Sequence, residues 1–300
     1  MTFDAISEVG KPTPVKRLGP PARNRLIVFV RLFLRNRTAV AGAIAVVLIS
    51  LLTILAPAIA PYKPTKQDFS QYLASPSQGH LFGTDEQGRD IFSRVLYGGR
   101  ISVPVGVIAV AIASAWGFVF GSMAGYFGGW VDAVVMRWMD ILLAFPTILL
   151  ALAVITILGP GIGNVMLAVG ISSIPFYTRV VRGSVLSVKE AEYVTAARAA
   201  GCSSARIVAR HILPNTLAPV MVLATTGTAA AIITSAALSF IGLGAQPPTP
   251  EWGNMLSSGR DYLRHAPWMT VFPGLAIMIT VVAINLLGDG LRDALDPRLT

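Results

Sequence analysis

Six long apolar stretches separated by polar intervals organise this chain: Thr38 to Ala60, Ile101 to Ala124, Ala133 to Leu158, Ile162 to Val181, Thr216 to Phe240 and Trp268 to Gly288. A helix needs about 20 largely apolar residues to cross a hydrocarbon layer roughly 30 Å thick, so each stretch predicts one membrane span. The fourth is the most interrupted, by Asn164, Ser172, Ser173, Pro175 and Arg179. In the second span small residues recur every four positions, at Ala109, Ala113, Gly117, Gly121 and Gly125; in the fifth they recur at Gly227, Ala231, Ser235 and Ser239. Residues four apart share a helix face, and small side chains there let two backbones approach closely in lipid. Gly117, Gly121, Gly125, Gly227, Ala231 and Ser235 are therefore expected packing positions, within the chain or at an interface between subunits.

The polar intervals carry their own patterns. In the long one from Pro61 to Arg100, Ile91, Phe92, Val95 and Leu96 fall on one face of a short helix, with Arg89, Asp90 and Arg94 turned away. This predicts an amphipathic helix lying in the outer membrane interface and leading into the second span. Asp140 precedes the apolar run Ile141 to Leu158, and Arg137, three residues earlier, is its expected partner. The deepest polar groups are uncharged: Thr225, Thr226, Thr228 and Asn285. Thr225, Thr228 and Asn285 are candidate lining residues for a polar pathway, against the alternative of hydrogen bonding between helices.

Composition agrees with the span pattern, since 54% of the 300 residues are hydrophobic and only 13% charged, against roughly 25% charged in soluble domains. A net charge of +9 on a soluble domain would suggest nucleic acid, but the cations are clustered. Eight lie before the first span, and Arg179, Arg182, Lys189, Arg198, Arg206 and Arg210 lie in or beside the interval between the fourth and fifth. With the amino terminus inside and six spans, 17 of the 24 Lys and Arg face the cytoplasm, as the positive-inside rule requires. The expected plan is a cytoplasmic basic tail over 1–37, a first span over 38–60, an external loop over 61–100, a five-helix core over 101–290 and a cytoplasmic tail over 291–300. The first 37 residues contain Pro12, Pro14, Pro20 and Pro21 and no apolar run, unlike a cleavable signal peptide. The single cysteine, Cys202, excludes an intrachain disulfide.

Signatures of chemistry are missing. There is no His-Glu-x-x-His or Gly-x-Ser-x-Gly, and His80, His211 and His265 are too far apart in sequence to suggest a metal site. The only Gly-Lys, Gly10-Lys11, is followed by Pro12, which excludes a phosphate-binding loop ending Gly-Lys-Ser/Thr. An enzyme is therefore not expected, nor a cofactor or metal in this chain. Two transport readings remain: a permease energised by separate subunits, and an ion-coupled secondary carrier of a small polar solute.

The interval between the fourth and fifth spans, 183–214, discriminates between them. It is basic, alanine-rich and much longer than a chain reversal needs. Ala196, Ala197 and Ala200 favour helix with little side-chain bulk, Gly201 suits a helix end, and Pro214 suits the first turn of the next helix. Ala196-Ala197, three residues, Gly201, and later Leu213-Pro214 reproduce the spacing EAA-x3-G-x9-I-x-LP. Thr195 stands where that motif has Glu, and His211 where it has Ile, with Ile212 one place later. The segment resembles the EAA loop of permease subunits of bacterial ABC importers. Phe82 to Asp90, Gln246 to Gly253 and the tail Gly288 to Pro297 are similar to the peptide/nickel class, in particular to its second permease subunit, the dipeptide and oligopeptide type. The resemblance implies an all-α type I importer permease of the bacterial inner membrane with both termini cytoplasmic, and a coupling loop comprising Glu192, Thr195, Ala196, Ala197, Gly201, Leu213 and Pro214. It also implies a second permease as heterodimer partner, one or two ATPases that bind the ATP and dock on Glu192 to Arg210, and a solute-binding protein. The cargo it implies is a di- or oligopeptide, with glutathione, nickel chelates and opines as alternatives.

Overall fold

The computed structural model describes residues 30–295. Most of the amino-terminal basic tail and the last residues of the carboxyl-terminal tail, Asp296 and Pro297 included, lie outside the described residues. The described chain is helical, and its only β pairing is a bridge between Thr84 and Asp90. The long helices are α1 (Arg37–Ile54), α2 (Ile91–Phe127), α3 (Gly129–Leu143), α4 (Thr147–Leu158), α5 (Ile162–Lys189), α6 (Glu192–Ala199), α7 (Leu213–Phe240), α8 (Trp252–Gly259) and α9 (Trp268–Leu295). Five are long and apolar enough to cross a membrane, and the count is six when the bent pair α3 and α4 is taken as one span.

Local chemistry sets the ends. Asn36 starts α1 by accepting the Thr38 and Ala39 N–H groups at 3.1 and 3.2 Å, and Asp90 starts α2 by accepting the Ser93 N–H at 2.7 Å. The third span is not one straight helix: α3 and α4 meet at 91°. Pro146 cannot donate to the helix and disfavours helical backbone at Phe145, so the hydrogen-bond ladder stops at Ala144 and restarts at Thr147.

The expected interfacial helix before the second span is also corrected. Residues 91–100 are the first turns of α2 itself, a continuous helix of 37 residues, so the boundary placed at 100/101 cuts an unbroken element. Its supposed outward polar face is among the most buried parts of the molecule, with Arg89, Asp90 and Arg94 only 3%, 2% and 4% exposed. They are buried because a local carboxylate and a distant carbonyl collect them. Asp85 Oδ2 accepts Arg89 Nε at 2.6 Å, and Arg94 donates to the Pro64 carbonyl at 3.0 Å.

The interior is assembled on small residues. Along α2, a Cβ at Gly117, Gly121 or Gly125 would lie 2.4 Å from Tyr177 Cβ, 2.6 Å from the Thr178 carbonyl oxygen and 2.8 Å from Val185 Cβ, so α2 and α5 pack backbone to backbone. Gly227 of α7 meets the Tyr177 hydroxyl, while Ala231 and Ser235 are buried. Both small-residue stripes thus pack inside this chain. Gly42 of α1 fits in the same way against Leu286 and Leu287 of α9. The outside is apolar, with Ile44, Val47, Leu48 and Leu51 exposed on α1 and Ile279 and Val282 on α9, the surface expected of a bundle whose solvent is lipid.

Candidate coupling surface and the opposite cap

At the end of the bundle where α5 finishes, the chain passes through Glu190 and Ala191 into α6. Val194, fully buried, anchors α6 against Val181, Val185, Ile207, Ile212 and Val220. Its other side is open: Glu192, Tyr193, Thr195, Ala196 and Ala199 are exposed, while Ala197 is half-buried against the bundle. The helix closes through Gly201, which has φ +79°. The Gly201 N–H donates to the Arg198 carbonyl at 3.0 Å and the Cys202 N–H to the Ala197 carbonyl at 3.1 Å, the paired pattern of a Schellman cap. The fixed turn re-aims the chain into Ser204–Ile207 and sets the angle at which α6 projects.

The link from there into α7 is a π-helical turn, Val208–Ile212, closed by the Leu213 N–H on the Val208 carbonyl. Pro214 follows within the same continuous helical run, supplies no N–H and crowds the Arg210 carbonyl, and a wider turn relieves that conflict. Asn215 donates to the His211 carbonyl at 2.6 Å, occupying an acceptor the π turn leaves free. The position one place after His211 is the apolar anchor, because Ile212 is fully buried. Lys189 donates to the Tyr126 carbonyl at 2.8 Å and ties the end of α5 to that of α2.

The expected Arg137–Asp140 pair is not formed. Asp140 accepts Arg179 of α5 at 2.6 Å, and the neighbouring Asp132 takes Arg182 at 2.5 Å on both oxygens. Sequence spacing on one helix pointed to Arg137, but the interhelical partner wins because α5 brings two guanidinium groups alongside α3. The clue available in the sequence was acids and bases of unlike spans at the same predicted membrane boundary.

The path candidates do not converge on an open channel within this chain. Thr225 and Thr228 bond their own helix, at the Met221 and Ala224 carbonyls, 2.7 and 2.8 Å away. Thr225 and Thr226 face Gly288 of α9, close to Asn285, whose side chain is exposed.

The opposite end carries a polar cap that sequence reasoning passed over. Glu251, 2% exposed, accepts the Ser102 hydroxyl and the Gly253 N–H at 3.0 Å each and the Asn254 N–H at 2.9 Å. Trp252 donates through its ring to the Val95 carbonyl at 2.9 Å, and Trp268 to the Thr84 carbonyl at 3.0 Å. Beside them, burial pushes the Glu86 carboxyl above the usual range, the Asp85 charge adds to the rise, and the Arg89 and Arg94 charges offset part of it. The two loop segments whose resemblance was noted, Phe82 to Asp90 and Gln246 to Gly253, are the two halves of this cap.

A helical membrane bundle with a capped short helix projecting between two spans matches the family described as "Binding-protein-dependent transport system inner membrane component" over residues 117–300, and "N-terminal TM domain of oligopeptide transport permease C" over residues 26–76. The dipeptide transport system permease protein DppC of Alkalihalophilus pseudofirmus is 47% identical over 88% of this chain and 87% of its own length. The glutathione transport system permease protein GsiD of Escherichia coli is 50% identical over 90% of each. Among solved structures, an inward-facing form of the MetNI methionine ABC transporter aligns with TM-score 0.56 at 18% identity, covering 68% of this chain and 97% of that one. The fold is that of a type I ABC importer permease. The chain belongs to the binding-protein-dependent transport inner-membrane family: it is a multi-pass permease subunit of a bacterial ABC importer in the inner membrane, not an enzyme, and it works with ATPase subunits and a binding protein.

Proposed function

We propose that this chain is one of two unlike permease subunits forming the pathway of a short-peptide importer, with both termini cytoplasmic and the ATPases seated on α6. The observation that carries the reading is the two-sidedness of α6: Val194 fixes it to the bundle while Glu192, Thr195, Ala196 and Ala199 are left uncovered. An exposed alanine face has little side-chain entropy to lose when a second protein closes over it. ATP is bound by those partners, since this chain has no phosphate loop. Di- or oligopeptide cargo is supported by relatives named for dipeptide and glutathione transport. Thr225, Thr228 and Asn285 meet that cargo at the join with the second permease.

The test is purification of the tagged chain from its native membrane in mild detergent, with mass spectrometry of what accompanies it. A second, unlike permease and P-loop ATPases are expected, with loss of the ATPases in Ala196→Arg at unchanged membrane insertion. A homo-oligomer, or a complex whose ATPases survive Ala196→Arg, would overturn the reading.

A further inference from the structure

Helix α3 is the least anchored of the apolar helices. Of its 15 residues only Met139 is buried. It has a joint at each end. At its start Gly128 and Gly129 both adopt positive φ, +65° and +51°, with open space around them, and after it the chain turns through 91° into α4. Two ion pairs tie α3 to α5: Arg182 grips both oxygens of Asp132, and Arg179 reaches Asp140. Asp132 and Asp140 are eight residues apart, about 12 Å along α3, whereas Arg179 and Arg182 are three apart, about 4.5 Å along α5. The pairs pin α3 to α5 at two points, and the long arginine side chains take up the difference in spacing.

Both arginines lie in the last turns of α5, which ends at Lys189, with only Glu190 and Ala191 before α6 begins. A displacement of α6 by a bound ATPase is thus delivered to the segment of α5 that carries the arginines. We infer that Asp132 and Asp140, held by Arg182 and Arg179, are positioning residues for coupling: they oblige α3 to follow α5, so that movement of α6 swings the α3–α4 elbow. The pairs lie at the surface of the bundle, Arg182 and Asp132 less exposed than Arg179 and Asp140. This inference rests on the ATPase docking at α6 proposed above, and it adds a route by which that docking reaches the membrane.

The test uses the complex purified through a tag on this chain and reconstituted in proteoliposomes. Asp132→Arg and Arg182→Asp are compared singly and together, with Asp140→Arg and Arg179→Asp as a second set. The readouts are ATP hydrolysis and peptide uptake per ATP, with complex yield as the check on folding. Each single variant is expected to keep hydrolysing ATP while uptake per ATP falls severalfold, and each charge-swapped double is expected to recover it. An Asp132→Cys/Arg182→Cys pair, joined across α3 and α5 by a short bifunctional thiol reagent, is expected to retain coupling because the two move together. Normal uptake per ATP in the single variants, no recovery in doubles that assemble normally, or uptake abolished by the cross-link would overturn the inference. Absence of any ATPase from the purified complex would instead overturn the docking reading beneath it.

Discussion

Ser102 on α2 donates its hydroxyl to Glu251 at 3.0 Å, across 149 residues of sequence, and the same serine oxygen accepts the N–H of Trp252 at 3.1 Å. One small side chain thereby fixes the start of α8 to the flank of α2. The carboxylate is buried with hydrogen-bond donors rather than a cation around it, and the two N–H groups it receives belong to the first turn of α8.

Glu251→Ala leaves those N–H groups and the Ser102 hydroxyl without a buried partner, at a cost of about 1–3 kcal/mol plus the lost helix cap. Glu251→Gln keeps one acceptor oxygen and should recover part of the loss. Thermal unfolding of the detergent-solubilised protein should rank wild type above Gln above Ala. Equal midpoints for all three would mean that the cap contributes nothing to stability.

Arg94 makes a different kind of join in the same cap. Its guanidinium lies 3.4 Å from Asp85 and donates to the Pro64 carbonyl at 3.0 Å, on the loop leading into α2. Arg94→Ala leaves the Pro64 carbonyl without its donor while Asp85 keeps Arg89 at 2.6 Å, so it should lose about 1–3 kcal/mol. Replacing both members by apolar residues of similar size, Arg94→Met with Asp85→Leu, is not expected to rescue it, since Asp85 also holds the Gln87 and Arg89 N–H groups. Expression level and unfolding midpoint decide this, and a rescued double variant would show that the ion pair alone matters.

Much of this architecture is legible in the sequence because it is local. Spans declare themselves by length and hydropathy, the α2 packing face by glycines every fourth residue, and the end of α6 by Gly201, whose positive φ follows from the chain's need to turn there. Failures occur wherever a distant partner decides. Asp85 stands four residues from Arg89 and could have been seen, but nothing near Arg94 in sequence shows that the Pro64 carbonyl will close over it. Asp140 read as the partner of Arg137 because helical spacing is visible and the crossing of α3 with α5 is not. Pro146 breaks the third span by local chemistry, yet the size of the bend depends on what α3 and α4 each pack against.

The Glu86 carboxyl gives the cap a pH dependence of defined sign. Its folded value is raised, chiefly by burial and then by the Asp85 charge, so above the ordinary carboxylate range the folded state holds a proton that the unfolded chain releases. Stability from this group is therefore present at low pH and falls as pH rises from about 4 through the folded value. Glu86→Gln cannot ionise and should flatten that part of the profile. Unfolding midpoints of the two proteins measured in parallel should diverge as pH increases, with the variant the more stable at neutrality. Parallel profiles would show that the Arg89 pairing at 2.9 Å outweighs burial.

The glycine face of α2 supplies the sharpest contrast between two chemically identical substitutions. At Gly121 a Cβ would sit 2.6 Å from the Thr178 carbonyl oxygen and 2.7 Å from Val181 Cβ, contacts that backbone and a branched side chain cannot yield, so Gly121→Val must push α2 and α5 apart along the most extensive helix pair in the molecule. Gly183 lies on α5 itself, in the same kind of helix, with nothing within 4 Å of where its Cβ would be. Helix propensity treats the two changes alike and cancels in the comparison. Overpacking costs typically about 1–3 kcal/mol and is worst where backbone is the obstacle. Gly121→Val should therefore lower the yield and unfolding midpoint of the solubilised protein, while Gly183→Val leaves both near wild type. If the two variants behave alike, α2 and α5 are not held by close backbone contact, and the stripe would have to serve an interface with another subunit.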